Sequence, residues 1–146
     1  MTVFTIGFTK KRAQEFFELI KTNEIKQLVD IRLNTNSQLA GFSKGNDLEY
    51  FLEEICGCGY CHEMIFAPTK ELKDNFKSKK ISVIQFENDY MQLLSDRNAL
   101  NYFHKQYAMM DNICLLCSED TPEHCHRRIL AEMIAGKYPG TIIKHI

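Results

Sequence analysis

Between Ile113 and Ile134 the chain reads ICLLCSEDTPEHCHRRILAEMI, which brings Cys117, Glu119, Cys125, His126 and Arg127 close together in sequence. A thiolate can attack an electrophilic centre, a carboxylate or imidazole can move a proton, and an arginine can hold an anion in bidentate contact. Cys125 is the candidate nucleophile, because it is expected inside the first helical turns, where free N–H groups lower a thiol pKa. His126 is the candidate for a proton transfer, although adjacent helical residues do not face each other. Glu119 could position a hydroxyl or amine or act as general base, and Cys117 completes the cluster. The competing reading makes the cysteines small core residues, His126 a packing histidine and Arg127 a surface cation.

These residues need a strand, a loop and a helix to position them. Ile113 to Cys117 is a short continuous apolar run, as in a strand covered on both faces. Thr121 suits an N-cap, Pro122 the first helical position, and Glu123 the positive end of the helix dipole. Ile129, Leu130, Met133 and Ile134 keep helical spacing toward a sheet, with Cys125 and His126 one turn earlier and inward. The cluster then lies above the C-terminal end of a strand, the edge where open α/β sheets bind ligands.

A second strand end carries polar residues. Val3 to Gly7 reads as the first strand, with Thr9 a candidate N-cap for the helix in KKRAQEFFELIKT and Ile25 to Ile31 as the next strand. This βαβ unit favours a parallel sheet with a right-handed crossover. Asp30 and Arg32 share a face at its end, either binding substrate or paired with each other to order the loop. The polar segment Leu33 to Asn46, with Ser37, Gly41 and Gly45, has the length of a loop that covers a site.

Further along, Asp47 to Ile55 reads as a helix, Tyr60 to Phe66 as a short strand, and Glu71 to Lys79 as a polar, exposed helix. Ile81 to Leu94 and Ala99 to Met110 read as helices, and Thr141 to Ile146 as a last strand. Phe86, Tyr90, Tyr102 and Tyr107 are candidates for a homodimer surface or for the core.

Other cysteine patterns are weaker. Cys58 and Cys61 match a dithiol motif and, with His62, a covalent haem signature, but a strand-like segment follows where the redox motif opens a helix. Cys114 and Cys117 are three apart on a strand and face opposite ways, which argues against one zinc site built from both pairs. No metal ligand is assigned, though a site from Cys117, Cys125 and His126 or His62 stays open. The cofactor is unknown.

The 146 residues are expected to form one domain, 1–146, with 45% hydrophobic and 25% charged residues. A net charge of -1 argues against a broad nucleic-acid or membrane surface. No apolar run approaches a membrane span. With no leader pattern at its start, the chain is expected to be cytoplasmic with reduced cysteines.

TIGF-T, LVDIR, GYCH, LLCSEDTPEHCHRR and the closing IKHI together resemble the Domain of Unknown Function 488 family. The resemblance implies a compact α/β domain of Rossmann-like, three-layer character. It brings no established reaction. It places Asp30, Arg32, His62, Cys117, Glu119, Cys125, His126, Arg127 and His145 on motif positions. Members commonly have His where this chain has Phe8, which removes a proton carrier from the first loop.

The expected architecture is therefore a mostly parallel central sheet of about four to five strands flanked by helices. The expected function is an enzyme acting on a small anionic, nucleotide-like substrate by thiol-assisted hydrolysis or group transfer. Catalysis is assigned to Cys125, His126, Glu119 and Cys117, and substrate binding to Asp30, Arg32, Arg127, His62 and His145. One alternative is an anion- or nucleotide-binding regulatory module without chemistry. Another is a nucleic-acid-processing component using Lys10 to Arg12 and Lys77 to Lys80, whose binding would weaken with salt.

Overall fold

The computed structural model describes residues 1–36, 40–119 and 122–146. Apolar runs with little polar interruption form the inner strands β1 (Thr2–Gly7), β2 (Gln27–Asp30) and β4 (Ile113–Cys117), and every residue of β4 is buried. The more exposed β3 (Gly59–His62) and β5 (Ile142–His145) take the edges. The sheet order is β3-β2-β4-β1-β5, and all pairings are parallel. Strands β1 and β2 thus share a sheet as expected but are separated by β4, which the sequence places last but one among the strands.

Alternating side chains divide the core into two layers. On one face Phe4, Ile6, Leu28, Cys114 and Leu116 pack against α1 (Ala13–Thr22) and α2 (Gly45–Phe51). On the other, Val3, Val29, Ile113, Leu115 and Cys117 pack against α4 (Val83–Asp96), α5 (Ala99–Tyr107) and α6 (His126–Lys137). The short α3 (Lys70–Lys77) joins this second layer through Leu72. Phe86, Tyr90 and Tyr107 are buried there and Tyr102 packs against them, so these aromatics are core residues rather than a dimer surface. Among the described residues no helix is long and apolar enough to cross a membrane.

This layering fixes where a site can form. The helix after β1 lies on one face, and the helix after the neighbouring β4 lies on the other. Chain exits in opposite directions open a crevice at the C-terminal ends of adjacent strands. Register puts Gly7 beside Cys117 and Asp30 beside Leu116, so the three strand ends sit at one level.

Several expected boundaries shift. Thr9 does not cap α1: its hydroxyl donates to the Ser118 carbonyl at 2.5 Å, Lys10 takes a left-handed φ of 62°, and the helix begins only at Ala13. The helix from Asp47 starts earlier, at Gly45, and runs on as a π-helical turn over Leu52–Cys56, ended by left-handed Gly57. Strand β3 stops at His62, because Met64–Phe66 curls into a 3₁₀ turn. The polar helix is Lys70–Lys77, capped by the Thr69 side chain, which accepts from the Leu72 N–H. In the segment expected to cover the site, residues 37–39 lie outside the described residues; Gly41–Ser43 forms a 3₁₀ turn.

Candidate active site

The loop after β4 differs from its expected form. Thr121, the expected cap, lies outside the described residues. Pro122 does not start the helix: the Cys125 N–H bonds the Pro122 carbonyl at 3.1 Å in a separate turn. Cys125 itself occupies the N-cap position with extended backbone (φ -107°, ψ 138°), and α6 begins at His126. The delay swings the Cys125 side chain down toward Cys117, at the end of β4. Both thiols and His126 are buried.

The three side chains form one cluster. Their donor atoms all lie within 4.8 Å of one another. Cys117 Sγ is 3.5 Å from His126 Nδ1, while His126 Nε2 donates to the Ile31 carbonyl at 3.0 Å. Tyr90 packs edge-on against the imidazole, with ring centres 5.4 Å apart. The ring is thus held on two sides, with the Cys117 sulfur 3.5 Å from Nδ1 and 3.8 Å from Nε2.

Charge settles on Cys117. Burial alone would raise its thiol pKa, but the hydrogen bond from Cys125, the charge and hydrogen bond of His126, and the Ser118 N–H together hold it well below the usual value. Cys125 moves the opposite way: its hydrogen bond to Cys117, its burial and the Cys117 charge push its pKa well above the usual range, against a weaker pull from Arg127. Burial disfavours charged His126, yet the Cys117 charge and hydrogen bond and the Ile31 carbonyl raise its pKa overall. The two shifts run in opposite directions, so Cys117 is the more readily ionised of the two thiols, and His126 beside it is the more readily protonated for that neighbour.

Glycine makes the loop's approach possible. A Cβ on Gly7 would stand 1.6 Å from the Glu119 carbonyl oxygen and 2.8 Å from Arg127 Nη1. With no side chain there, the main chain of the β4–α6 loop settles onto the end of β1, and the Thr9 N–H bonds the Ser118 carbonyl at 3.1 Å. Arg127 is buried rather than a surface cation; its Nη1 donates to the Glu119 carbonyl at 2.5 Å and lies 3.6 Å from Cys125 Sγ. Its observed contacts hold the loop, and it is not among the residues lining the cavity.

That cavity, of about 480 Å³, opens over the cluster. Cys117, Cys125 and His126 form one wall, with Ser118, Glu119 and His124 beside them. Arg32 and Phe8 also line it, as do Lys73, Phe76 and Lys77 of α3. Phe76 stacks on Phe86, with centroids 4.4 Å apart, as an aromatic flank. Glu119 is an exposed carboxylate at this rim.

Arg32 is held from behind. Its Nε and Nη2 donate to the two carboxylate oxygens of Asp30 at 2.9 and 2.6 Å, and Nη2 also donates to the Ser43 carbonyl at 2.7 Å. Asp30 additionally accepts from the Tyr60 hydroxyl at 2.8 Å. The guanidinium lies over the Phe8 ring, 5.1 Å from its centre. Among the described residues Nη1 is buried with no hydrogen-bond partner. Asp30 and Arg32 therefore do pair, and the pair still leaves one edge of the guanidinium for something else.

Of the five expected binding residues only Arg32 lines the cavity: Asp30 pairs with it, Arg127 holds the loop, and His62 and His145 bond elsewhere. His62 Nε2 bonds the Arg32 carbonyl at 2.6 Å, and His145 Nδ1 lies 2.6 Å from the Thr5 hydroxyl; both are exposed and neither lines the cavity. Sequence reasoning missed Lys73 and named Lys77 only within the basic segment Lys77 to Lys80, not as part of this cavity. The spacing of Lys73 and Lys77 with Phe76 puts all three on one helical face, which was the available signal. Cys114 and Cys117 face opposite core layers, as strand alternation requires.

No curated protein and no solved structure matches the chain. The family model described as Domain of unknown function DUF488 matches residues 12–134, from the start of α1 into α6 and including both Asp30–Arg32 and the Cys117–His126 loop. The chain belongs to the DUF488 family.

Proposed function

We propose that the protein is an enzyme that acts on a small anionic substrate through covalent catalysis, with Cys117 as nucleophile. One observation carries this reading: Cys117 Sγ, 3.5 Å from His126 Nδ1, faces a cavity ringed by Arg32, Lys73 and Lys77. Cations at the mouth concentrate an anion and orient it, and Arg32 Nη1 offers a preorganised donor. The Cys117 thiolate attacks the electrophilic centre and forms a bond from sulfur. The leaving group departs with its electron pair and takes the proton from His126 Nδ1. Water, or an acceptor in group transfer, then attacks the intermediate; His126 takes back a proton and the thiolate is regenerated. Cys125 steadies the resting thiolate, and Phe76 and Phe86 give a flat flank against which a ring of the substrate can lie.

Paired alkylating reagents test this on chelator-treated protein. Iodoacetate is an anion and iodoacetamide its neutral counterpart. Iodoacetate is expected to gain rate at Cys117 relative to iodoacetamide, compared with their ratio at a free thiol in solution, and Arg32→Gln is expected to remove much of that gain. An unchanged ratio at Cys117 would sink the anionic-substrate reading, and failure of Cys117 to react ahead of the other thiols would sink the nucleophile.

A further inference from the structure

The cluster beneath the cavity has a second chemical capacity. We infer that Cys117, Cys125 and His126 bind a soft divalent cation, zinc, in a tetrahedral site whose fourth position opens on the cavity.

The geometry supports three ligands. Zinc bonds to thiolate sulfur at about 2.3 Å and to imidazole nitrogen at about 2.0–2.1 Å, so a tetrahedral S···N edge is about 3.5 Å. The Cys117 Sγ to His126 Nδ1 separation is 3.5 Å. All donor atoms fall within 4.8 Å, so small side-chain adjustments bring them around one ion. Two thiolates and an imidazole select zinc over magnesium or calcium, which prefer oxygen.

The surroundings are those a metal site needs. A ligating histidine usually donates its other ring N–H to a carbonyl or carboxylate, which fixes its tautomer. Here His126 Nε2 donates to Ile31 O, leaving Nδ1 for the metal. The Arg127 guanidinium, 3.6 Å from Cys125 Sγ, supports a thiolate there. Two thiolates cancel the ion's charge, so burial of the filled site is not opposed by an uncompensated charge. Three protein ligands with an open position is the coordination of catalytic rather than structural zinc.

Bound zinc takes the Cys117 lone pair that covalent catalysis uses. Metal binding and thiol attack are therefore alternative states of the same residues, and the metal inference does not depend on the proposed reaction.

The test uses the full chain stripped with chelator, then titrated with zinc or cobalt(II) alone. One equivalent of zinc is expected to protect Cys117 and Cys125 from alkylation while Cys56 and Cys61 keep their own rates. Cobalt(II) is expected to give thiolate-to-metal charge-transfer bands together with the absorption of a tetrahedral ion. Cys125→Ser is expected to weaken zinc binding by more than the roughly 10- to 100-fold lost with a supporting hydrogen bond, whereas Cys56→Ser leaves it unchanged. Absence of stoichiometric zinc binding, equal affinity in Cys125→Ser, or protection of other cysteines would overturn the inference. If Cys125→Ser does not fold, the wild-type protection pattern decides. Cys117 reactive in stripped protein but unprotected by zinc defeats the metal site and leaves the nucleophile standing; zinc protection without preferential Cys117 reactivity does the reverse.

Discussion

Cys117, rather than Cys125, is the thiol whose pKa the fold lowers, because position in the fold reverses what position in sequence suggests. Expected helical N–H groups favoured Cys125 as the thiolate. In the folded chain Cys125 caps the helix from an extended backbone and gives its S–H to Cys117, which also has the imidazole. The charge-bearing atoms were legible in the motif; which sulfur carries the charge was not, since it depends on where α6 begins. Arg32 and Asp30 show the same limit. Strand alternation put them on one face and left pairing as one of two readings; the Ser43, Tyr60 and Phe8 contacts that bury the pair come from distant segments. Asp30→Ala leaves the buried guanidinium without its carboxylate, and urea denaturation is expected to show a loss of about 3–5 kcal/mol. A loss under about 1 kcal/mol, within the usual span for an exposed pair, would mean that the pair does not hold the loop.

At the level of elements, Gly7 and α3 explain most of the site's shape. Val3 to Gly7 read correctly as a strand, and an unbroken apolar run correctly marked β4 as covered on both faces. Nothing local marked Gly7 as the point where the β4–α6 loop comes to rest. Gly7→Ala places a methyl group against the Glu119 carbonyl, and overpacking of this kind is expected to destabilise by at least about 1–3 kcal/mol. Chemical denaturation checks the stability, and slowed Cys117 alkylation in the variant checks the displaced loop. Helix α3 read as a solvated element because its charges dominate its sequence. Leu72 anchors it, and Lys73 and Lys77 then face the cavity mouth. Lys73→Ala combined with Lys77→Ala is expected to leave stability within about 0.5 kcal/mol per site while lowering the iodoacetate preference. A preference equal to wild type would remove these lysines from the account.

For the whole molecule, the α/β class and parallel sheet were readable from a strand–helix–strand start and a strand–loop–helix near the end. Strand order was not, because pairing β4 between β1 and β2 joins segments about a hundred residues apart with no local mark. That insertion creates the site: neighbouring strands send their helices to opposite faces, and the crevice between them receives Cys117, Arg32 and the α3 lysines. A chain with net charge -1 thus places Lys73, Lys77 and the Asp30-paired Arg32 around one cavity, with Glu119 as the carboxylate in its lining. The iodoacetate preference is accordingly expected to shrink as salt rises, in step with a Debye length of about 10 Å at 0.1 M and about 3 Å at 1 M. A preference indifferent to salt would place its origin in direct contact rather than in the field.

The central claim is that Cys117 is the thiolate of this site. The measurement that tests it most directly is the alkylation rate of each cysteine in chelator-treated protein from pH 5 to 9, resolved by peptide mass spectrometry. A thiol with a depressed pKa reacts on the acid side of the ordinary value, and its rate levels off as pH rises through that value. Cys117 is expected to react first and already below neutrality, with Cys125 modified later and only at higher pH. Cys117 unreactive below about pH 8.5, the free thiol pKa, or Cys125 reacting ahead of it, would contradict the account.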